Sequence, residues 1–111
     1  MKRSLTKEQT QHLIDLGLDK TRIYYGNDCP NRKFIRASIR YYMFDILDSL
    51  PQEIVHNGVV YTLSINANAD KTDIGYLNND YLILFAENEL IDAAYKLVIW
   101  CIENGYIKTN N

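Results

Sequence analysis

The sequence predicts a single α+β domain: an antiparallel sheet of four to five strands with helices packed mainly on one face, in the order α-β-β-α-β-β-β-α. Three observations predict this fold class. They are a strong amphipathic helix pattern that closes the chain, apolar and polar residues that alternate in the segments before it, and turn-forming residues between those segments. Short turns favour antiparallel neighbours, and strands with one polar face are typical of a sheet covered on one side.

Composition limits the class of protein further. The chain has 111 residues, of which 47% are hydrophobic and 23% charged, as expected for one globular domain with its own core. No apolar run approaches the roughly 18 residues of a membrane helix. The start, MKRSLTKEQT, lacks the apolar region of a signal peptide, so we expect a cytoplasmic protein with no membrane contact.

The charges are distributed unevenly along the chain. Residues 1–40 carry nine Lys and Arg against four acids, or +5, whereas residues 41–111 carry three against ten, or -7. Such a split can mark an interaction face, although folding can bring the two halves together so that their fields cancel.

Residues 89–107 carry the helix pattern on which the predicted fold depends. At about 100° per residue, their apolar side chains cover an arc of roughly 160°. The members of this arc are Leu90, Ile91, Ala94, Tyr95, Leu97, Val98, Cys101 and Ile102. We therefore expect a core helix, with Asp92, Lys96 and Glu103 on its solvent side and an ion pair between Asp92 and Lys96.

The ends of this helix follow from capping chemistry. Asn88 is the expected N-cap, and Gly105 is placed where a left-handed residue ends a helix, so a Schellman turn should fold Tyr106 back onto Cys101 or Trp100. Trp100 lies outside the apolar arc. It therefore needs a second contact, either with an adjacent loop or with another subunit.

The preceding segments supply two further helices and the sheet. A first helix begins with the capping box Thr6-x-x-Gln9 and ends at Gly17, and a second covers residues 42–50 before Pro51. Strands are expected at residues 22–25, 33–41, 61–67, 73–77 and 81–86, whereas residues 52–58 are expected to form a connection ending in the turn Asn57-Gly58. The strand at 81–86 is apolar on both sides, so we expect both of its faces to be covered.

Residue patterns of catalytic or metal sites are weak. His12 and His56 have no Cys, His or acidic partner at metal-ligand spacing, so ordinary surface histidines are the favoured interpretation. Asn66-x-Asn68-x-Asp70 imitates half of a calcium loop but lacks its glycine and its closing glutamate. No phosphate-binding glycine loop or nucleophile motif is present, and Cys29 and Cys101 are not expected to form a disulfide. We therefore predict no catalytic residue, no metal and no cofactor, and an enzyme is the least supported class.

The most informative polar pattern is a group of basic residues beside aromatic ones. Arg36 and Arg40 should share one face of the strand at 33–41. The candidate interaction surface comprises Arg32, Arg36, Arg40, Tyr42 and Trp100. Basic side chains among tyrosines can hold phosphate and stack bases, but a sequence pI of 5.6 favours a solvated sheet face whose arginines pair with acids.

The sequence also resembles a group of uncharacterised small proteins of Bacteroides-group gut bacteria and their phages and mobile elements. The resemblance covers most of the chain and rests on TKEQTQHLIDLGLD, on LDSLPQEI and above all on IDAAYKLVIWCIENGYIK. Members often have Trp and then Thr or Ser where the central helix opens, and this chain has Tyr41 and Tyr42. The resemblance implies an origin and a similar fold, and no activity or cofactor.

Two functions from different classes follow. The first is a small non-enzymatic binding protein, an accessory protein of a phage or mobile element that acts on an unidentified protein partner, with a homodimer as one form of that contact. The alternative is a nucleic-acid-binding protein that uses the face of Arg32, Arg36 and Arg40. An enzyme would require a pocket lined by convergent polar groups.

Overall fold

The computed structural model describes residues 4–18, 43–67 and 71–109. Their elements are α1 (Lys7–Asp15), α2 (Met43–Ser49), β1 (Glu53–His56), β2 (Val59–Ala67), β3 (Thr72–Asn78), β4 (Asp80–Ala86) and α3 (Leu90–Glu103). The four strands form one antiparallel sheet in sequential order, and the helices pack against it. The predicted α+β class is therefore confirmed. The strands expected at 22–25 and 33–41 lie outside the described residues.

The first hairpin corrects the expected connection at 52–58. Residues 53–56 instead form β1, which pairs with β2 from Glu53 opposite Thr62 to His56 opposite Val59. The two turn residues, Asn57 and Gly58, have φ values of 52° and 79°. Positive φ at both central residues is what a two-residue type I′ hairpin turn requires. The turn was recognised in the sequence, but four residues are too few for alternation to identify a strand.

The junction between β3 and β4 combines a tight turn with a bulge. Asn79 turns the chain with a φ of 61°, and the pairing register shifts between Tyr76 and Leu77. Next to this shift, a Cβ atom added to Gly75 would overlap the carbonyl oxygen of Ile83. A glycine is therefore needed at position 75 because the two backbones approach closely there.

The core lies between α3 and one face of the sheet. α3 packs on β3 and β4, and α2 packs on α3. Leu97 and Val98, two members of the predicted apolar arc, are 0% exposed. The buried residues that share this core with α3 include Leu13 of α1, Ile46 of α2, Leu50 just after α2, and Ile54, Ile74 and Tyr76 of the sheet. The closing helix is thus the interior element that the sequence predicted.

Both predicted helix stops are confirmed. Gly105 has a φ of 79°, and the amide of Tyr106 donates to the Cys101 carbonyl at 2.8 Å in a Schellman turn. Gly17, with a φ of 98°, ends α1 by the same pattern, and Thr6 and Gln9 form the expected capping box.

The start and the polar side of α3 differ in detail from the prediction. Glu89, instead of Asn88, occupies the N-cap position and makes no side-chain capping hydrogen bond. The expected partner of Lys96 was Asp92, but Lys96 forms an ion pair with Glu87, just before the helix. Asp92 accepts a hydrogen bond from the Gln9 side chain at 3.3 Å, so its carboxylate is directed towards α1.

Candidate functional site

The register of the strands separates the sheet into two faces. Ile54, Leu63, Ile74, Tyr76 and Ile83 alternate onto the side that α3 covers. The opposite side is the outer face, and the register places on it Glu53, Val55, Val60, Thr62, Ser64, Asn66, Asp73, Gly75, Leu77, Tyr81, Leu84 and Ala86.

The outer face exposes large apolar side chains. Val55 and Val60 are paired across β1 and β2 and are 60% and 46% exposed, and Tyr81 and Leu84 of β4 are each 39% exposed. The expectation that β4 is covered on both faces is therefore wrong. The chain packs α3 on one face of β4 and leaves apolar groups of the other face in contact with water.

The side chain of Tyr81 extends across the outer face from β4, at one edge of the described sheet. It pairs with Leu77, yet its hydroxyl lies 3.3 Å from the Ser64 hydroxyl and 3.4 Å from the Asn66 side-chain nitrogen, two strands away. The side chain must therefore cross β3, where Gly75 lies beside Ser64 in the register. The missing side chain at Gly75 leaves room for the tyrosine, an arrangement in which an aromatic side chain covers a strand glycine.

The outer face has few charged side chains. The Asp73 carboxylate is buried, accepts a hydrogen bond from the Asn66 side chain at 2.9 Å and lies 3.4 Å from the Lys71 ammonium. Within the described strands, the other charged side chain that the register places here is Glu53, at the margin on β1. A surface of apolar and neutral polar groups is suited to contact with protein.

The strand edges are less suited to a partner than the face. β1 is only four residues long and starts at Glu53, close to Pro51. The pairing of β4 with β3 is irregular at Leu82, which has no partner in the register. Short edge strands, charged residues and bulges are the features that prevent a further strand from adding to a sheet.

Trp100 obtains its second contact within the chain. Its ring stacks on Tyr106 at a centroid distance of 5.5 Å and lies 6.3 Å from the ring of Tyr76. The Tyr106 hydroxyl is 2.6 Å from Nδ1 of His56, so the segment after α3 is also attached to β1. Of the two contacts expected for Trp100, the adjacent loop is therefore present, and the indole remains partly exposed.

Both histidines contact tyrosines. Nδ1 of His12 lies 2.8 Å from the Tyr95 hydroxyl and joins α1 to α3, as His56 joins β1 to Tyr106. Among the described residues, no group of three or more His, Cys, Asp and Glu side chains could hold a metal ion. These contacts indicate that each histidine connects two parts of the fold.

The buried thiol of Cys101 belongs to the core. Its sulfur lies 3.8 Å from the Tyr76 hydroxyl, which donates to the Pro51 carbonyl at 2.8 Å. Burial raises the pKa of the thiol to about 11, against an ordinary value of 9.0, and burial also raises the pKa of the Tyr76 phenol. Both groups are therefore neutral at physiological pH, and Cys101 is an unreactive thiol.

The other residues of the candidate surface lie elsewhere in the chain. Arg32, Arg36, Arg40 and Tyr42 fall outside the described residues. The site residues predicted from the sequence did not include Val55, Val60, Tyr81 and Leu84. Two signals for them were present: the apolar pairs Ile54-Val55 and Val59-Val60 around Asn57-Gly58, and the apolar residues on both sides of β4.

Comparisons with other proteins add no family to this description. No family model matches the chain, and neither the curated proteins nor the solved structures contain a significant match. In the part of the chain that the structure describes, no helix has the length and apolar character needed to cross a membrane.

Proposed function

We propose that this protein is a small non-enzymatic binding protein and that the outer face of its sheet contacts a partner protein. The observation that supports this function is the presence of four large apolar side chains on one side of the sheet, exposed by 39% to 60%. Several large apolar side chains exposed on one face favour a protein partner. Covering each of these side chains is worth on the order of 1 kcal/mol, since each is about half exposed.

The arrangement of the face also supports recognition. The Tyr81 hydroxyl is held by Ser64 and Asn66, so the ring presents a fixed aromatic surface. A tyrosine that is already ordered loses little side-chain freedom on binding, which is one reason why tyrosines are enriched at interfaces. Trp100, with its partly exposed indole, is a second and smaller candidate contact outside this face.

The biological setting is proposed from the sequence. Similarity to small proteins of Bacteroides-group bacteria and their phages suggests an accessory protein of a phage or mobile element. The same setting implies a cytoplasmic location, a reducing compartment in which the free thiol of Cys101 would persist.

The alternative function is nucleic-acid binding through Arg32, Arg36 and Arg40. It is supported by the excess of positive charge, +5, in residues 1–40. Phosphate contacts would make such binding strongly dependent on salt concentration.

A matched pair of substitutions tests the proposed surface. Val60 and Val59 are neighbours on β2, are 46% and 40% exposed, and point to opposite faces of the sheet. Val60→Lys places a charge in the outer face, and Val59→Lys places the same charge outside it. We expect a protein captured by the tagged wild type from a Bacteroides-group lysate to be lost with Val60→Lys and retained with Val59→Lys.

The opposite result would contradict the proposal. If both variants retain the captured protein, or both lose it while keeping the wild-type melting temperature, then the outer face is not the contact surface.

A further inference from the structure

We infer that Asn57 is a site of spontaneous deamidation and that its isoaspartyl product weakens the pairing of β1 with β2. The chain contains two Asn-Gly sequences, Asn57-Gly58 in the turn between these strands and Asn104-Gly105 at the end of α3. Asparagine is a chemically labile residue, and a following glycine favours the reaction because it has no side chain to hinder the attacking nitrogen. The surroundings of the two sequences differ, and the first is the more open to reaction.

The reaction needs the chain and water alone. The backbone nitrogen of Gly58 loses its proton to water or hydroxide and attacks Cγ of Asn57. The new N–Cγ bond forms, the Cγ–Nδ2 bond breaks, and ammonia leaves. Water then opens the succinimide ring, giving aspartate by hydrolysis at Cγ or isoaspartate by hydrolysis at the main-chain carbonyl. One amide and one water thus become one carboxylate and one ammonium ion, and no oxidant or reductant takes part.

The turn at Asn57 and Gly58 is open to this attack. Both residues are exposed, and a Cβ atom added to Gly58 would meet no atom within 4 Å. Among the backbone hydrogen bonds of the described residues, none is donated by the Gly58 amide, so the attacking nitrogen is free. β1 is four residues long and, in the described sheet, pairs with β2 alone. The rotation about Asn57 that ring closure needs therefore disturbs the end of a short pairing, where local opening is least costly.

The turn at Asn104 and Gly105 is protected. The side-chain nitrogen of Asn104 donates to the Trp100 carbonyl at 2.8 Å, which holds the carboxamide on the helix. The Gly105 amide donates to the Ile102 carbonyl at 3.2 Å, so the nitrogen that would attack is already engaged. Two hydrogen bonds must break before the ring can close, and deamidation there should be slower by at least about tenfold.

The isoaspartyl product does not fit a two-residue turn. The turn joins the paired residues His56 and Val59 through two residues of positive φ, and isoaspartate lengthens the backbone between them by one carbon. The product also adds a negative charge to a chain whose net charge is already -2. Because the next pair, Val55 and Val60, belongs to the outer face, the modification changes that face as well.

Peptide mapping by tandem mass spectrometry, after storage of the folded protein at neutral pH, tests the inference. Trypsin cuts after Lys71 and Lys96, so Asn57, Asn79 and Asn104 fall on three different peptides. We expect Asn57 to gain the mass difference between OH and NH2, and its peptide to become a methyl acceptor for isoaspartate methyltransferase. Asn57 should react at least about tenfold faster than Asn104 in the folded protein. In concentrated urea, where neither turn is formed, the two rates should become similar.

Two controls separate the structure from the sequence. Asn57→Gly keeps a residue that accepts positive φ but has no side-chain amide, so it should retain the wild-type melting temperature and abolish methyl acceptance at this peptide. Asn79 is exposed and also turns a hairpin with positive φ, 61°, but the side chain of Asp80 follows it and hinders the attack. An Asn57 that stays intact in the folded protein while it reacts in urea would overturn the inference. The same holds if Asn79 or Asn104 reacts as fast as Asn57 in the folded protein.

Amide hydrogen exchange tests the consequence for β1. The isoaspartyl form can be separated from the unmodified protein by its charge, and its β1 amides should exchange faster than those of the wild type. Asn57→Asp carries the same charge without the added backbone carbon, and its β1 amides should exchange at the wild-type rate. Equal exchange in the isoaspartyl form and the wild type would contradict the weakened pairing of β1 with β2.

Discussion

Tyr76→Phe tests how the core is joined to the connection before the sheet. The Tyr76 ring is 0% exposed, and its hydroxyl donates to the Pro51 carbonyl at 2.8 Å and lies 3.8 Å from the Cys101 sulfur. Phenylalanine retains the ring and removes the only atom that makes these contacts. The substitution therefore separates the polar contribution from the packing.

The expected loss of stability follows from the hydrogen bond. A buried hydrogen bond contributes about 1 kcal/mol net, and a carbonyl left without its donor costs about 1–3 kcal/mol more when it is buried. Since Pro51 is only partly buried, water can replace part of the lost interaction. We expect Tyr76→Phe to lower the free energy of unfolding at pH 7 by about 1–2 kcal/mol in urea denaturation.

The difference in free energy of unfolding between the wild type and Tyr76→Phe should decrease at high pH. Because burial raises the pKa of Tyr76 above its ordinary 10.0, the phenol contributes stability that is fully present below pH 10.0 and is lost as pH rises further. At pH 11, where the tyrosine of the unfolded chain is ionised, the wild type should lose on the order of 1 kcal/mol of stability. Phenylalanine has no such group, so the variant should approach the wild type by that amount.

The free energy of unfolding of Cys101→Ala, measured as a function of pH, provides a second test. The thiol's pKa rises from 9.0 to about 11, so its contribution is complete below pH 9.0 and declines from there up to about pH 11. The difference in free energy of unfolding between Cys101→Ala and the wild type should therefore begin to decrease near pH 9. The corresponding difference for Tyr76→Phe should begin to decrease about one pH unit higher. Parallel stability curves from pH 7 to pH 11 would refute the assignment of neutral, buried groups at these two positions.

Three further substitutions test other parts of the structure. Gly75→Ala should destabilise the protein by about 2 kcal/mol or more in urea denaturation, because the new Cβ meets the backbone carbonyl of Ile83; wild-type stability would exclude the close approach of β3 and β4. Gly105→Val should cost about 1–2 kcal/mol through its φ of 79° alone, since open space surrounds the site, and an unchanged midpoint would argue against the Schellman turn. If the alternative function holds, the double variant Arg36→Ala and Arg40→Ala should weaken salt-dependent binding to DNA or RNA in a gel-shift assay, and no shift by the wild type at low salt would exclude it.

The closing helix could be predicted from sequence because its signals are local. Its 3.6-residue periodicity places Leu97 and Val98 on the buried face, and Gly105 has the left-handed backbone that ends the helix. The N-cap at Glu89 was missed because it makes no side-chain capping bond that a residue preference could reveal.

β1 shows the limit of alternation as a signal for short strands. Only Ile54 among its four residues is buried, so the segment offers a single period of the pattern. Its partner β2 is nine residues long and was recognised. The hairpin turn at Asn57-Gly58, flanked by Val55 and Val59, would have indicated a strand on both sides.

The outer face could not be assigned from sequence because it depends on tertiary layers. The apolar residues on both sides of β4 predicted two covered faces, and which face α3 covers follows only from the assembled register. Trp100 shows the same dependence on distant residues. Its position outside the apolar arc was predictable from the sequence, and Gly105 indicated the turn that brings Tyr106 to it. Its contact with Tyr76 was not predictable.

The most direct test of recognition by the outer face is a map of backbone amide chemical shifts in 15N-labelled protein, recorded with and without the partner protein captured from the lysate. We expect the largest changes at Val55, Val60, Tyr81 and Leu84, with little change at Val59 and Ile65 on the other side. Changes centred on Trp100, or on Val59 and Ile65, would contradict it.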